Sequence, residues 1–124
     1  MPMVDNAVRM VLLPRYTTVY GASALYLAPF NVRRFAKVVL TAWAGRGIGT
    51  SAPAATIYVE QSADLDRWWT AGSVNPNPSS EKTTEFDLLG FEWARVKVLI
   101  EPAVGQPPGT TVWAVGLFVP REGM

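Results

Sequence analysis

Residues 91–100 constrain the fold more than any other stretch. Within them Ala94, Val96, Val98 and Ile100 alternate strictly with Trp93, Arg95 and Lys97, and Glu101 continues the polar phase. A period of two puts the apolar set on one side of an extended backbone and the rest on the other. An α-helix would wind those apolar side chains around its whole circumference, so this run is a strand with one buried face. Residues 32–44 repeat the pattern on a longer scale. There Arg34, Ala36, Val38, Leu40 and Ala42 share one face, and Phe35, Lys37, Val39, Thr41 and Trp43 share the other. Both faces are partly apolar, which predicts a central strand covered on both sides over part of its length.

The remaining segments are β-branched and aromatic, with no sustained helical period, and Gly, Pro, Asn and Ser clusters separate them. Strands are expected at residues 8–13 (ended by Pro14), 16–20, 24–27, 56–61, 68–71, 82–88 and 110–119. Residues 45–53, 72–80 and 102–109 read as loops, the second because it holds Asn75-Pro76-Asn77-Pro78. About eight short strands with long Gly/Pro loops predict an all-β fold, a single jelly-roll-like β-sandwich over residues 8–120. Residues 1–7 are then a flexible N-terminal arm and 121–124 a C-terminal tail. The 124 residues are enough for one core and too few for two.

Composition narrows the chemistry. The chain has no histidine, which removes the commonest general base and metal ligand near neutral pH. It has no cysteine, so no disulfide frame, thiolate zinc site or cysteine nucleophile. We therefore expect no enzyme and no cofactor or metal. Glu60 and Asp87 are the carboxylates that could in principle run glycoside chemistry, but nothing in their spacing brings them together. Lysines and arginines number 11 against 10 acids, which argues against a partner held by phosphate neutralisation. The start lacks a basic, apolar leader. The longest apolar run, residues 35–43, is about half a membrane span and carries Lys37. The expected chain is soluble, with no nucleic-acid and no membrane partner. Charged residues make up 17% against roughly 25% in globular proteins. Either the core is generous or other subunits cover apolar surface.

Ile57-Tyr58-Val59-Glu60-Gln61-Ser62-Ala63-Asp64-Leu65-Asp66-Arg67-Trp68 reads as a strand, a tight polar turn and a buried tryptophan that returns to pack on the strand just left. Ser62 and Asp64 can each accept backbone N–H bonds inside the turn. Asp64 and Asp66 could alternatively offer carboxylates to a cation, although no fuller ligand pattern accompanies them. Trp68 and Trp69 must point to opposite faces of a strand. If Trp68 is core, Trp69 is free for an interface or a sugar, unless the loop at Asn75–Pro78 covers it. Trp93 lies beside Arg95, an aromatic–cation pairing common at interfaces. Arg33-Arg34 beside Phe35 is either a solvated strand start or a contact for an acidic protein surface or RNA. Gly45-Arg46-Gly47-Ile48-Gly49 has no helix after it and is not a phosphate loop. Met1, Met3 and Val4 give the arm apolar anchors for a neighbour. The interface candidates are thus Trp69, Trp93, Arg95, Arg33, Arg34, Met1, Met3 and Val4.

The hairpin pattern, ending in Glu60-Gln61-Ser62-Ala63-Asp64 and Trp68, resembles that of discoidin-like β-sandwiches and of small virion proteins of tailed bacteriophages, including capsid decoration (cement) proteins. Phe91-Glu92-Trp93-Ala94-Arg95-Val96-Lys97-Val98 resembles the strand of such sandwiches in which an aromatic precedes Ala-Arg-Val-x-Val. The likeness spans residues 56–100. Discoidin domains are usually longer and often closed by a terminal disulfide, and neither feature is present. The resemblance therefore implies the phage class: a jelly-roll-like protein, often a trimer, that binds the major capsid protein outside the shell. The acidic surface open to Arg33-Arg34 would then be the capsid's. It further implies assembly in the host cytoplasm and a final place on the capsid surface of the virion. A carbohydrate- or receptor-binding module, with Trp69 or Tyr58 stacking on a sugar, is the alternative. No small-molecule ligand is otherwise expected.

Overall fold

The alternation at residues 91–100 becomes a strand whose inward set is buried: Ala94, Val96, Val98 and Ile100 are at most 2% exposed. The computed structural model describes residues 7–20, 24–47, 54–76, 81–101 and 109–121. Among them lie nine strands and no helix. They are β1 (Val8–Tyr20), β2 (Leu25–Tyr26), β3 (Phe30–Asn31), β4 (Phe35–Gly47), β5 (Ala54–Ser62), β6 (Trp69–Val74), β7 (Lys82–Asp87), β8 (Trp93–Glu101) and β9 (Gly109–Pro120).

The first sheet runs β1-β9-β4-β7 and the second β2-β8-β5-β6, with the short β3 also paired to β8. All pairs are antiparallel. Sequential strands mostly switch sheets, and the first strand lies beside the last. With β3 set aside, this is the strand order of a jelly roll, two four-stranded sheets wound from one folded-over ribbon.

The core fills the space between the sheets. Val38, Leu40, Ala42 and Ala44 of β4 face Ile57 and Val59 of β5 and the inward set of β8. Phe118 of β9, paired with Val38 of β4, is fully buried. Phe30 meets it edge-on at 5.8 Å and Phe35 tilts against it at 5.4 Å, so rings from both sheets lock there. At the β6–β7 edge Gly72 lies where a Cβ would sit 2.5 Å from the Phe86 ring of β7. The missing side chain lets that ring close the seam between sheets.

Three expectations need correction. Pro14 does not end the first strand. β1 continues to Tyr20 because Pro14 falls in an irregularity, where residues 14–16 stand opposite Trp113 alone. The Thr17 hydroxyl donates to the Pro14 carbonyl at 2.6 Å and holds the bend. β1 is an edge strand, the place where a proline's missing N–H is tolerated. Gly72–Val74 is strand, not loop: Ala71 is an extra residue in β6, and pairing resumes at Gly72 opposite Val59. Gly45–Gly47 extends β4 instead of opening a loop, held partly by the Thr110 hydroxyl donating to the Gly45 carbonyl at 2.9 Å. Of the arm expected over residues 1–7, residues 1–6 lie outside the described residues.

Candidate functional site: the outer face of the second sheet

With the inward sets buried, each sheet presents an outer face, and the two differ. On the first sheet β4 and β9 pair Val39 with Leu117, Thr41 with Val115 and Trp43 with Trp113. Trp113 is only 8% exposed. A shallow groove of about 300 Å³ runs over Val39, Trp113, Val115 and Leu117, with Arg9 and Glu81 among its lining. Lys37 donates to Glu85 at 3.0 Å, and both side chains are well exposed to water. The Thr41 and Thr83 hydroxyls share a hydrogen bond of 3.0 Å.

On the second sheet the outward side chains of β8 meet aromatic residues from three directions. The register sets Arg95 opposite Glu60, and Lys97 opposite both Tyr58 and Tyr26. Arg95 donates from Nε to Glu60 Oε1 at 2.8 Å. Its guanidinium carbon lies 4.2 Å from the centre of the Tyr26 ring and 4.1 Å from that of Trp68. Lys97 Nζ sits over Tyr58 at 4.9 Å and over Tyr26 at 5.8 Å. The result is a ladder of ring, cation, ring, cation, ring across the sheet. Each contact is a cation–π attraction of about 0.5–2 kcal/mol, larger where water is excluded. Glu60 lies beneath it, its side chain 10% exposed, and Arg95 is 22% exposed. That ion pair is both desolvated and hydrogen-bonded, the condition under which a charge pair orders a surface.

The β5–β6 hairpin holds one end of the ladder. The Ser62 hydroxyl oxygen accepts from the Asp64 and Leu65 N–H groups at 3.2 and 2.9 Å. Asp64 Oδ1 accepts from the Asp66 and Arg67 N–H groups, both at 2.9 Å. The turn is therefore built as its residues imply, and the bend needs Leu65 at a φ of 66°. The Arg67 and Asp66 amides, with help from the Ser62 hydroxyl, hold the Asp64 carboxyl below its ordinary value of 3.8. Asp64 Oδ1 is thus turned into its own loop. Among the described residues no three acids cluster to hold a cation.

Trp68 is not core: it lies half-buried on the outer face, against Arg95. Trp69 does point elsewhere, as adjacency requires, and is 50% exposed. Its indole stacks on Phe91 at 5.4 Å with ring planes 4° apart. Phe91 thus covers one face of it; Asn75 accepts a hydrogen bond from Thr56 at 2.7 Å, and Asn77 and Pro78 of the expected covering loop lie outside the described residues. Trp93 is half-buried at the Ser62 end of the face. Arg33 and Arg34 are exposed in the turn between β3 and β4, away from the ladder. Their carbonyls accept from Arg121, through Nε at 3.1 Å and N–H at 2.8 Å. Met1, Met3 and Val4 lie outside the described residues. Glu60 and Asp87 sit on different sheets. Of the sequence candidates, Arg95 and the sugar-stacking candidate Tyr58 belong to the ladder. Tyr26, Trp68 and Lys97 join it, and only the outward phase of Lys97 marked it in the sequence.

No family model matches the chain, and no curated protein matches it in sequence. Solved structures match its fold. XepA, an exported protein of PBSX, superposes with a TM-score of 0.69 at 15% identity, over 98% of this chain and 39% of that one. The SPBc2 prophage-derived protein YomS gives 0.51 at 12%, covering 90% and 93%. The infectious bursal disease virus VP2 subviral particle gives 0.53 at 10%, covering 93% and 32%. Tripeptidyl peptidase 2 gives 0.62 at 8%, but this chain spans only 10% of it. The chain thus spans about two fifths of XepA and nearly all of YomS. These matches show the fold alone: a sandwich of the same kind occurs in a prophage-derived protein, in a viral particle and within a peptidase.

Proposed function

We propose that the chain is a structural protein of a phage particle, and within that class a decoration protein that binds the major capsid protein on the outside of the head as a homo-oligomer, a trimer. The observation that carries the reading is the ladder of Trp68, Arg95, Tyr26, Lys97 and Tyr58. Tryptophan, tyrosine and arginine held rigid before contact lose little entropy on binding, and these residue types dominate protein interfaces. Fold neighbours of phage and viral origin support the same reading. Many copies on one lattice would turn modest single contacts into firm attachment. The test is light scattering on the purified chain, followed by sedimentation with heads that lack it. The expected result is an oligomer that pellets with heads and saturates at a fixed ratio. A monomer that stays in the supernatant with intact heads would overturn the proposal.

One observation favours a second reading, a carbohydrate- or receptor-binding module. Trp69, stacked on Phe91, leaves half of its surface open. Tryptophan emission titrated with sugars tests it: a saturable shift that Trp69→Ala abolishes supports the module, and a flat titration removes it.

A further inference from the structure

Resting on the particle-binding reading, we infer that the ladder is the docking surface, and that Lys97 takes a carboxylate from an acidic protein surface between Tyr26 and Tyr58. Among the described side chains of this face, two cations, Arg95 and Lys97, stand against one acid, Glu60. Glu60 is engaged by Arg95 at 2.8 Å. Lys97 forms no ion pair among the described residues, and only the Tyr58 and Tyr26 rings stand against its charge. An ammonium has three donors and no acceptor, so an anionic group completes it.

The rings set the class of partner. A neutral sugar stacks on a bare aromatic face, but here cations already lie over Tyr26, Tyr58 and Trp68. What the ladder offers a partner is an ammonium, a partly covered guanidinium, phenol hydroxyls and the electropositive edges of rings. All of these attract an anion. One uncompensated charge is too few for a nucleic acid, whose binding rests on several phosphate contacts. A carboxylate on a protein surface fits the size and the sign.

The test compares Lys97→Gln with Lys37→Gln, an equal loss of charge on the opposite sheet. Two probes are used: poly-L-glutamate at low salt, and heads lacking the chain. The expected result is that Lys97→Gln weakens both about tenfold, Lys97→Arg retains most binding, and Lys37→Gln changes either by less than twofold. Unaltered far-UV spectra and melting curves would exclude a folding defect. Equal losses from Lys97→Gln and Lys37→Gln, or no loss from either, would overturn the inference. Preference for polygalacturonate over poly-L-glutamate would replace the protein partner with an acidic glycan. If heads bind Lys97→Gln as tightly as the wild-type chain, this face is wrong and the particle reading stands. If heads bind nothing while poly-L-glutamate binding depends on Lys97, the particle reading falls and the face stands.

Discussion

Among the described residues each outer face carries one ion pair, and the two pairs differ in every respect that matters. Lys37–Glu85 spans β4 and β7 at 3.0 Å with side chains 38% and 56% exposed. Glu60–Arg95 spans β5 and β8 at 2.8 Å with side chains 10% and 22% exposed, under two aromatic rings. The first trades water for a partner of nearly equal quality. The second holds charges that water can scarcely reach, so losing one partner strands the other. Opposite charges at similar distances thus decorate one sheet and organise the other.

The largest effect should come from the apolar face, where stability rests on aromatic burial and not on its ion pair. Trp113→Ala should lower unfolding free energy by about 3 kcal/mol in urea denaturation. A loss below ~1 kcal/mol would mean that this face contributes little. Next, Glu60→Ala should cost about 2 kcal/mol by leaving Arg95 unpaired. A double-mutant cycle with Arg95→Met should return a coupling of about 1–3 kcal/mol. The same cycle on Lys37 and Glu85 should give less than about 0.5 kcal/mol and vanish in high salt. Equal couplings for the two pairs would erase the contrast.

The smallest effect is local and pH-dependent. The Asp64 carboxyl is depressed by the N–H bonds it accepts, so its contribution is present above the ordinary value and lost as pH falls through the lower, folded one. Amide exchange at Asp66 and Arg67 should therefore accelerate only below about pH 4, relative to neighbouring amides. Asp64→Asn should remove that dependence. Acceleration already at pH 6 would assign the turn's order to something other than this carboxylate.

The strands and inward faces were legible because burial imposes a period of two, and β8 and β4 carry it without interruption. Pro14 misled because its effect depends on which strand lies at an edge, a property of the assembled sheet. Trp68 was misplaced for a related reason: adjacency separates it from Trp69 but does not say which side faces the core. The ladder was least visible. Arg95 announced itself by lying outward beside Trp93, whereas Tyr26 sits in a two-residue strand with no period to read. It reaches Arg95 only because β2 lies next to β8. Sites assembled across strands distant in sequence leave no local spacing to find.

The pairing of β1 with β9 has a temporal consequence. A ribosome delivers β1 roughly a hundred residues before its only neighbour in the sheet. Through that interval the strand's hydrogen-bonding edge is open to any other extended chain, including a second nascent copy. Closing so long a loop is also slow, as sheets built from remote segments are. The folding of this domain is thus a race between the arrival of its last strand and capture of its first.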